Sequence, residues 1–189
     1  MPYSKEHKQQ VRKQILKSTI ANIKKYGIQK TSVPTIMKGA GLTHGGFYAH
    51  FPNKETLIQE ACYFATEEMI HRLQTLCQAS KEASNITVII DPYLSTKHRD
   101  NPGAGCVLPA ISAEMATLSP LLKNVFTECL NRYIAFISEI GNIPKDTSYA
   151  IVSLLVGTLT LSRAVQDENM SRQFLLAGRK QAKKLAGIT

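Results

Sequence analysis

The sequence predicts an all-α protein with a small N-terminal helix-turn-helix domain and a larger helical core, and three observations carry that prediction. Apolar residues recur at spacings of three and four along most of the chain. Capping residues, glycines and prolines fall at the breaks between those runs. No stretch alternates polar and apolar residues convincingly enough to be a strand, and the count comes to about nine helices.

The first helix runs from Lys5 to Tyr26, with Leu16, Ile20 and Ile23 on one face, lysines on the other, and Gly27 just past its end. Thr31 or Ser32 caps a short second helix carrying Val33, Ile36 and Met37, with Pro34 tolerated in its first turn. After Gly39-Ala40-Gly41, Thr43 caps a third helix that reaches about His50. Phe51-Pro52-Asn53 breaks the pattern, and Asn53 caps a long helix striped by Ile58, Cys62, Ala65, Met69, Leu73 and Leu76. The segment Ser84–Tyr93 is ambiguous between helix and strand, and Ser95–Gly105 reads as the clearest loop in the chain. Helical patterning resumes at Cys106, with breaks at Ser119-Pro120, at Gly141–Pro144 and near Asp167–Ser171.

Charge divides the chain as sharply as patterning does. Residues 1–54 hold ten Lys and Arg against the single acid Glu6, a net +9, while the other 135 residues are neutral. The whole net charge of the 189-residue chain, also +9, therefore lies in its first quarter. That concentration on a foldable segment points to nucleic acid. The expected domains are 1–52, basic and three-helical, and 53–189, neutral and more apolar.

Other function classes find little support. The four cysteines (Cys62, Cys77, Cys106, Cys129) form no CxxC pair and have no His at ligand spacing, so neither zinc nor a disulfide scaffold is expected. Cys106 follows the loop and is expected to be the most exposed of them, and a redox or electrophile-sensing role stays open there. His44 and His50 are six residues apart on a short helix with no acidic or Cys partner, which argues against a metal or catalytic site. There is no nucleophile–base pairing and no Gly-rich phosphate loop, so no enzyme and no cofactor are expected. The N-terminus is polar and charged, and no apolar run approaches the ~18 residues of a membrane span. A cytoplasmic protein without membrane association is the expectation.

Helices two and three, joined by a Gly-containing turn, have the form of a helix-turn-helix, whose second helix normally enters the major groove. In THGGFYAH, Phe47 and Tyr48 are adjacent and point about 100° apart, so both cannot be core. Phe47 is expected against the first helix, leaving Tyr48 and His50 outward beside Thr43 and His44. Gly45 and Gly46 each cost about 1 kcal/mol of helix propensity, and close approach to phosphate or base edges is a reason to keep them.

The segment TSVPTIMKGAGLTHGGFYAHFPNKETLIQEA resembles the DNA-binding signature of TetR/AcrR-type regulators: a Thr/Ser cap, an A-G-V/L-S/T turn, an F-Y-x-H-F recognition helix and a following Lys-Glu. The likeness spans about residues 10–61. It implies a DNA-binding face of Thr43, His44, Gly46, Tyr48 and His50, with Lys54, Thr31 and Ser32 on the phosphate backbone. Gly46 departs from the family, which often carries a larger residue there. The resemblance further implies a repressor that binds a palindromic double-stranded operator as a homodimer and is released by a small-molecule effector. GCVLPAISAEMATLSP is similar to a stretch found in one branch of that family.

For the effector, the expected pocket residues are Phe64, Met69, Tyr93, Cys106, Met115, Phe126 and Tyr133, all flexible, apolar or aromatic. Glu114 beside the Leu108/Ile111/Met115/Leu118 stripe either pairs with a base or reaches a cationic ligand. Ser148–Ala164 is apolar on nearly every side yet too short and polar to span a membrane. A helix-to-helix dimer interface, expected over Leu154, Gly157, Thr158, Leu161 and Phe174, explains this better than burial in a monomeric core. The last helix, Met170–Ala186, ends in a basic cluster suited to the helix dipole.

Overall fold

The computed structural model describes residues 5–80 and 85–188, and these form helices with no strand among them. In order they are α1 (Lys5–Tyr26), α2 (Val33–Gly39), a 3₁₀ segment (His44–Ala49), α3 (Lys54–Ala79), α4 (Asn85–Tyr93), α5 (Thr96–Asp100), a 3₁₀ turn (Pro102–Ala104), α6 (Leu108–Met115), α7 (Pro120–Gly141), α8 (Lys145–Ala164) and α9 (Glu168–Leu185). None of the described helices is long and apolar enough to cross a membrane.

Two expectations are corrected and one open reading is resolved. The recognition segment is 3₁₀ and not α-helical, as two adjacent glycines in six residues leave little propensity for a regular α turn. The stretch expected as a loop contains α5 and the 3₁₀ turn; Ser95 caps α5 by accepting from the His98 N–H at 3.1 Å. The ambiguous Thr-Val-Ile-Ile run is helical, because Ile86, Ile89 and Ile90 are all buried at helical spacing; Ser84, where that segment was expected to begin, lies outside the described residues.

The chain divides into two compact units, Met1–Ala65 with Ala110–Cys129, and Thr66–Pro109 with Leu130–Thr189. The first unit thus extends past residue 52 and takes in most of α6 and the first half of α7. Its core is built by Val11 and Ile15 of α1, Ile36 and Met37 of α2, Phe47, Phe51 and Leu57. Leu16, expected on the buried face, is partly buried against this cluster.

In the second unit α8 and α9 pack closely. A Cβ added at Gly178 would meet the Thr158 hydroxyl at 2.5 Å and its methyl at 2.6 Å, so glycine is what admits the approach. Ser171 Oγ donates to the Ser162 carbonyl at 2.6 Å in the same seam. Basic side chains of α8 and α9 fasten α4 and α5 to this pair. Arg163 donates to the carbonyls of His98 (2.7 Å) and Arg99 (3.0 Å), and Arg179 to that of Leu94 (2.7 Å). Lys183 pairs with Asp91 at 2.8 Å, and Arg99 with Glu168 at 3.0 Å. Two members of the C-terminal basic cluster therefore hold α4, beyond any effect on their own helix end.

Gly178→Ala is expected to lower the thermal midpoint despite the better helix propensity of alanine, because overpacking of about 1–3 kcal/mol outweighs a gain of about 1 kcal/mol. Adding Thr158→Ala should recover part of the loss in a denaturation assay. A G178A protein as stable as the parent would contradict this packing.

Candidate nucleic-acid interface and ligand cavity

The recognition segment is held from beneath. Phe47 is fully buried and stacks on Phe51, with ring centroids 6.0 Å apart. The Arg12 guanidinium lies 4.2 Å over the Phe51 ring, donates to the His50 carbonyl and pairs with Glu60 of α3. One α1 side chain thus joins the segment's end to α3. With Phe47 fixed inward, Tyr48 is forced out and is 68% exposed, edge-on to His44 at 6.5 Å. Thr43 and His44 are exposed beside it, and Gly46 and His50 are half-buried. Thr43 begins the segment in extended backbone, but its hydroxyl makes no capping hydrogen bond.

Neither glycine is demanded by the fold. Gly45 and Gly46 have ordinary negative φ, a Cβ at Gly45 would meet nothing within 4 Å, and one at Gly46 would make only normal contacts, 3.8 Å to Met37 and 3.9 Å to Thr43. A side chain is missing here without an intramolecular reason.

Gly27, Ile28 and Gln29 in the turn before α2 are each fastened. Gly27 has φ +80°, and a Cβ there would sit 1.8 Å from the Glu114 carboxylate. That carboxylate accepts the Gln29 N–H at 2.9 Å, and Gln29 Nε2 reaches Thr117 at 3.4 Å. Glu114, expected to find a basic partner or a cationic ligand, instead accepts a backbone N–H. Lys54 Nζ donates to the Ile28 carbonyl at 3.2 Å, which draws its head toward the turn and leaves it half-buried. Thr31 is corrected outright: it is buried, and its hydroxyl donates to the Gly27 carbonyl at 2.5 Å, so it cannot reach phosphate. Ser32 is exposed and caps α2, accepting from the Thr35 N–H at 3.3 Å.

A second feature lies in the other unit: a cavity of about 450 Å³. Met69, Tyr93, Cys106 and Tyr133 of the expected pocket residues line it. Phe64, Met115 and Phe126 do not. Phe64 is covered by the Lys13 ammonium 5.7 Å above its ring, and Met115 is core; both, like Phe126, belong to the N-terminal unit. Cys106 is as buried as the other three cysteines, not more exposed. Its Sγ lies 3.9 Å from Met69 Sδ and accepts from the Leu108 N–H at 3.4 Å. Sequence reasoning missed Arg72, Val88 and His98 of the wall, although the His98–Cys106 spacing across a Gly-rich turn hinted at a closed loop. His98 Nδ1 donates to the Tyr93 carbonyl at 2.7 Å and Nε2 accepts from the Cys106 N–H at 3.1 Å, a pattern that only the neutral ring supports.

Burial raises the Tyr93 and Tyr133 hydroxyls far above the usual phenol range; the neighbouring Cys106 adds to this, while Arg163 and Arg72 respectively oppose it. Burial, with help from Cys129, pushes the Cys62 thiol up to about 12. No group of three or more His, Cys, Asp or Glu among the described residues could hold a metal.

Of the expected dimer residues, Leu161 is half exposed, Leu154, Gly157 and Phe174 are partly so, and nothing stands within 4 Å of a Cβ placed at Gly157. Thr158 is corrected: it is buried against Gly178 of its own chain. Leu176 at 61%, Met170 and Tyr149 extend the exposed apolar surface of α8 and α9.

Residues 15–61 match the family model described as bacterial regulatory proteins, tetR family. No curated protein sequence matches the chain. Solved structures resemble it over almost its full length. The reduced form of Escherichia coli NemR has a TM-score of 0.77 at 18% identity, covering 93% of this chain and 96% of that one. A TetR-family regulator from Agrobacterium tumefaciens has 0.77 at 15%, covering 96% and 99%. The fatty acid degradation regulator FadR from Bacillus halodurans has 0.68 at 15%, covering 94% and 95%. At these identities the likeness is one of fold.

His50 carries a pH prediction. Its pKa is lowered from 6.5 by burial and by Lys8, Arg12 and His7. A folded pKa below the unfolded one means that protonation favours unfolding. Stability is then complete above pH 6.5 and declines as pH falls below it. Urea midpoints measured at pH 7.5 and pH 5.5 should differ less in His50→Gln than in the parent; an equal difference would mean that His50 does not titrate this way.

Proposed function

We propose that the chain is a TetR/AcrR-type transcriptional regulator that represses from a palindromic operator as a homodimer and is released by a small-molecule effector. The match of residues 15–61 to the tetR-family model and the likeness of fold support this reading. The observation that carries the DNA contact is Tyr48, driven outward on a segment whose inward neighbour, Phe47, is locked in the core. Thr43, His44 and Tyr48 read base edges, and Ser32, His50 and Lys54 meet the phosphate backbone. Gly46 lets the duplex approach the backbone closely.

The dimer forms over α8 and α9 through Leu154, Gly157, Leu161, Phe174 and the exposed Leu176. Scattered single hydrophobics need no explanation, but a run of them on one helix pair supports a self-associating face. The effector occupies the cavity lined by Met69, Tyr93, Cys106 and Tyr133, whose size suits a small molecule. Release requires that the effector bind the DNA-free and DNA-bound conformations with different affinity.

The test is DNA retardation with the sequence upstream of the protein's own reading frame, titrated with salt. Affinity should fall steeply as salt rises; no binding, or salt-independent binding, would defeat the proposal. Tyr48→Ala should weaken binding at least about tenfold, or ~1.4 kcal/mol, with the dimer intact by sedimentation. Gly45→Ala and Gly46→Ala should each stabilise the fold by about 0.4–1 kcal/mol while weakening DNA binding. Better folding with unchanged binding would remove the case for close approach. Leu161→Glu should yield a folded monomer with weakened operator affinity; a dimer that survives it would move the interface elsewhere.

A further inference from the structure

Two buried hydroxyls in the wall of the cavity lack an oxygen or nitrogen partner. Tyr133 is 2% exposed, and its hydroxyl has no hydrogen-bond partner. Tyr93, 8% exposed, has only the Cys106 thiol beside its hydroxyl, a weak acceptor. Buried hydroxyls nearly always find an oxygen or nitrogen partner, so two together in one wall are unusual. Both are donors waiting for an acceptor.

The charge around them has one sign. Arg72 and Lys97 belong to the lining, no Asp or Glu does, and His98 is held neutral by its two hydrogen bonds. Arg163, fixed on the carbonyls of His98 and Arg99, brings a further positive charge toward Tyr93. Ser95 and Asn101 add neutral polar groups, and the remainder of the wall is apolar, with Leu73, Val88 and Ile89 among it. A cationic ligand would find no counter-ion in the lining, only positive side chains and two hydroxyl donors.

We infer that the cavity takes a compound with an apolar body and one carbonyl or carboxylate oxygen, which accepts hydrogen bonds from the Tyr93 and Tyr133 hydroxyls. This assignment rests on the effector reading of the same cavity and adds the ligand's chemical class. Water does not reach either hydroxyl in the free wall, so the oxygen enters as a wall side chain turns aside. Met69 is suited to do so, being an unbranched thioether that touches Cys106 only at 3.9 Å. Ligand binding is therefore coupled to a change in the wall around Cys106.

The test is a thermal-shift series on the full chain with matched probes: 2-naphthoate, 2-acetylnaphthalene and decanoate against 2-naphthylmethylamine and decylamine. Acids or the ketone should raise Tm by about 5 °C at a hundredfold excess over Kd, and the amines should not. Tyr133→Phe should keep or raise the ligand-free Tm, because it deletes an unmatched hydroxyl, yet lose most of the shift. Tyr93→Phe should behave in the same direction. A shift from the amines, or a full shift retained in Tyr133→Phe, would overturn the acceptor assignment while leaving the cavity a binding site. If no probe of either class shifts Tm or alters DNA retardation, both the assignment and the effector reading fail.

Discussion

The burial of Phe47 is the constraint on which the proposed DNA-facing surface depends. A 3₁₀ segment of six residues has almost no stability of its own, since its hydrogen bonds are poorer than those of an α-helix and its nucleation is as costly. Its position comes from one ring inserted between Ile36, Met37 and Phe51, and from Arg12 clamping the carbonyl at its end. Because Tyr48 follows Phe47 directly, every ångström of its placement derives from that insertion. The exposed chemistry is specified by the buried chemistry next to it.

This explains which features were readable in the sequence. The Phe47/Tyr48 adjacency fixes an inward and an outward residue whether the segment is α or 3₁₀, so the faces could be read although the helix type could not. The basic N-terminal module was readable because charge needs no geometry. What escaped notice depends on partners distant along the chain. Glu114 meets the Gln29 N–H across 85 residues, and no spacing rule within α6 reveals it. Thr31 looked like a surface cap, yet local turn geometry folds its hydroxyl back on Gly27. The α5 helix was hidden in a composition that favours loops, and it stands through the Ser95 cap and the grip of Arg163, a residue from α8.

The two glycines of the recognition segment and the glycine of α9 make an instructive contrast. Gly178 is explained entirely from within, since Thr158 occupies the space a side chain would need. Gly27 is explained twice, by its positive φ and by the Glu114 carboxylate against it. Gly45 and Gly46 have neither reason, and local sequence that weakens its own structure without an internal gain is where function is to be sought.

The same reasoning applies to polar groups. Around the turn before α2, the backbone groups of Gly27, Ile28 and Gln29 are bonded to Thr31, Lys54 and Glu114, so a segment without regular structure is still rigid. In the cavity wall the fold does the reverse. It buries the Tyr133 hydroxyl with no partner, although an unsatisfied buried donor costs about 1–3 kcal/mol and phenylalanine would fill the same volume without that penalty. A chain that satisfies the irregular turn of one unit in such detail has the means to satisfy a tyrosine. Leaving the donor open costs stability in the free protein, and the proposed ligand oxygen is what would recover it.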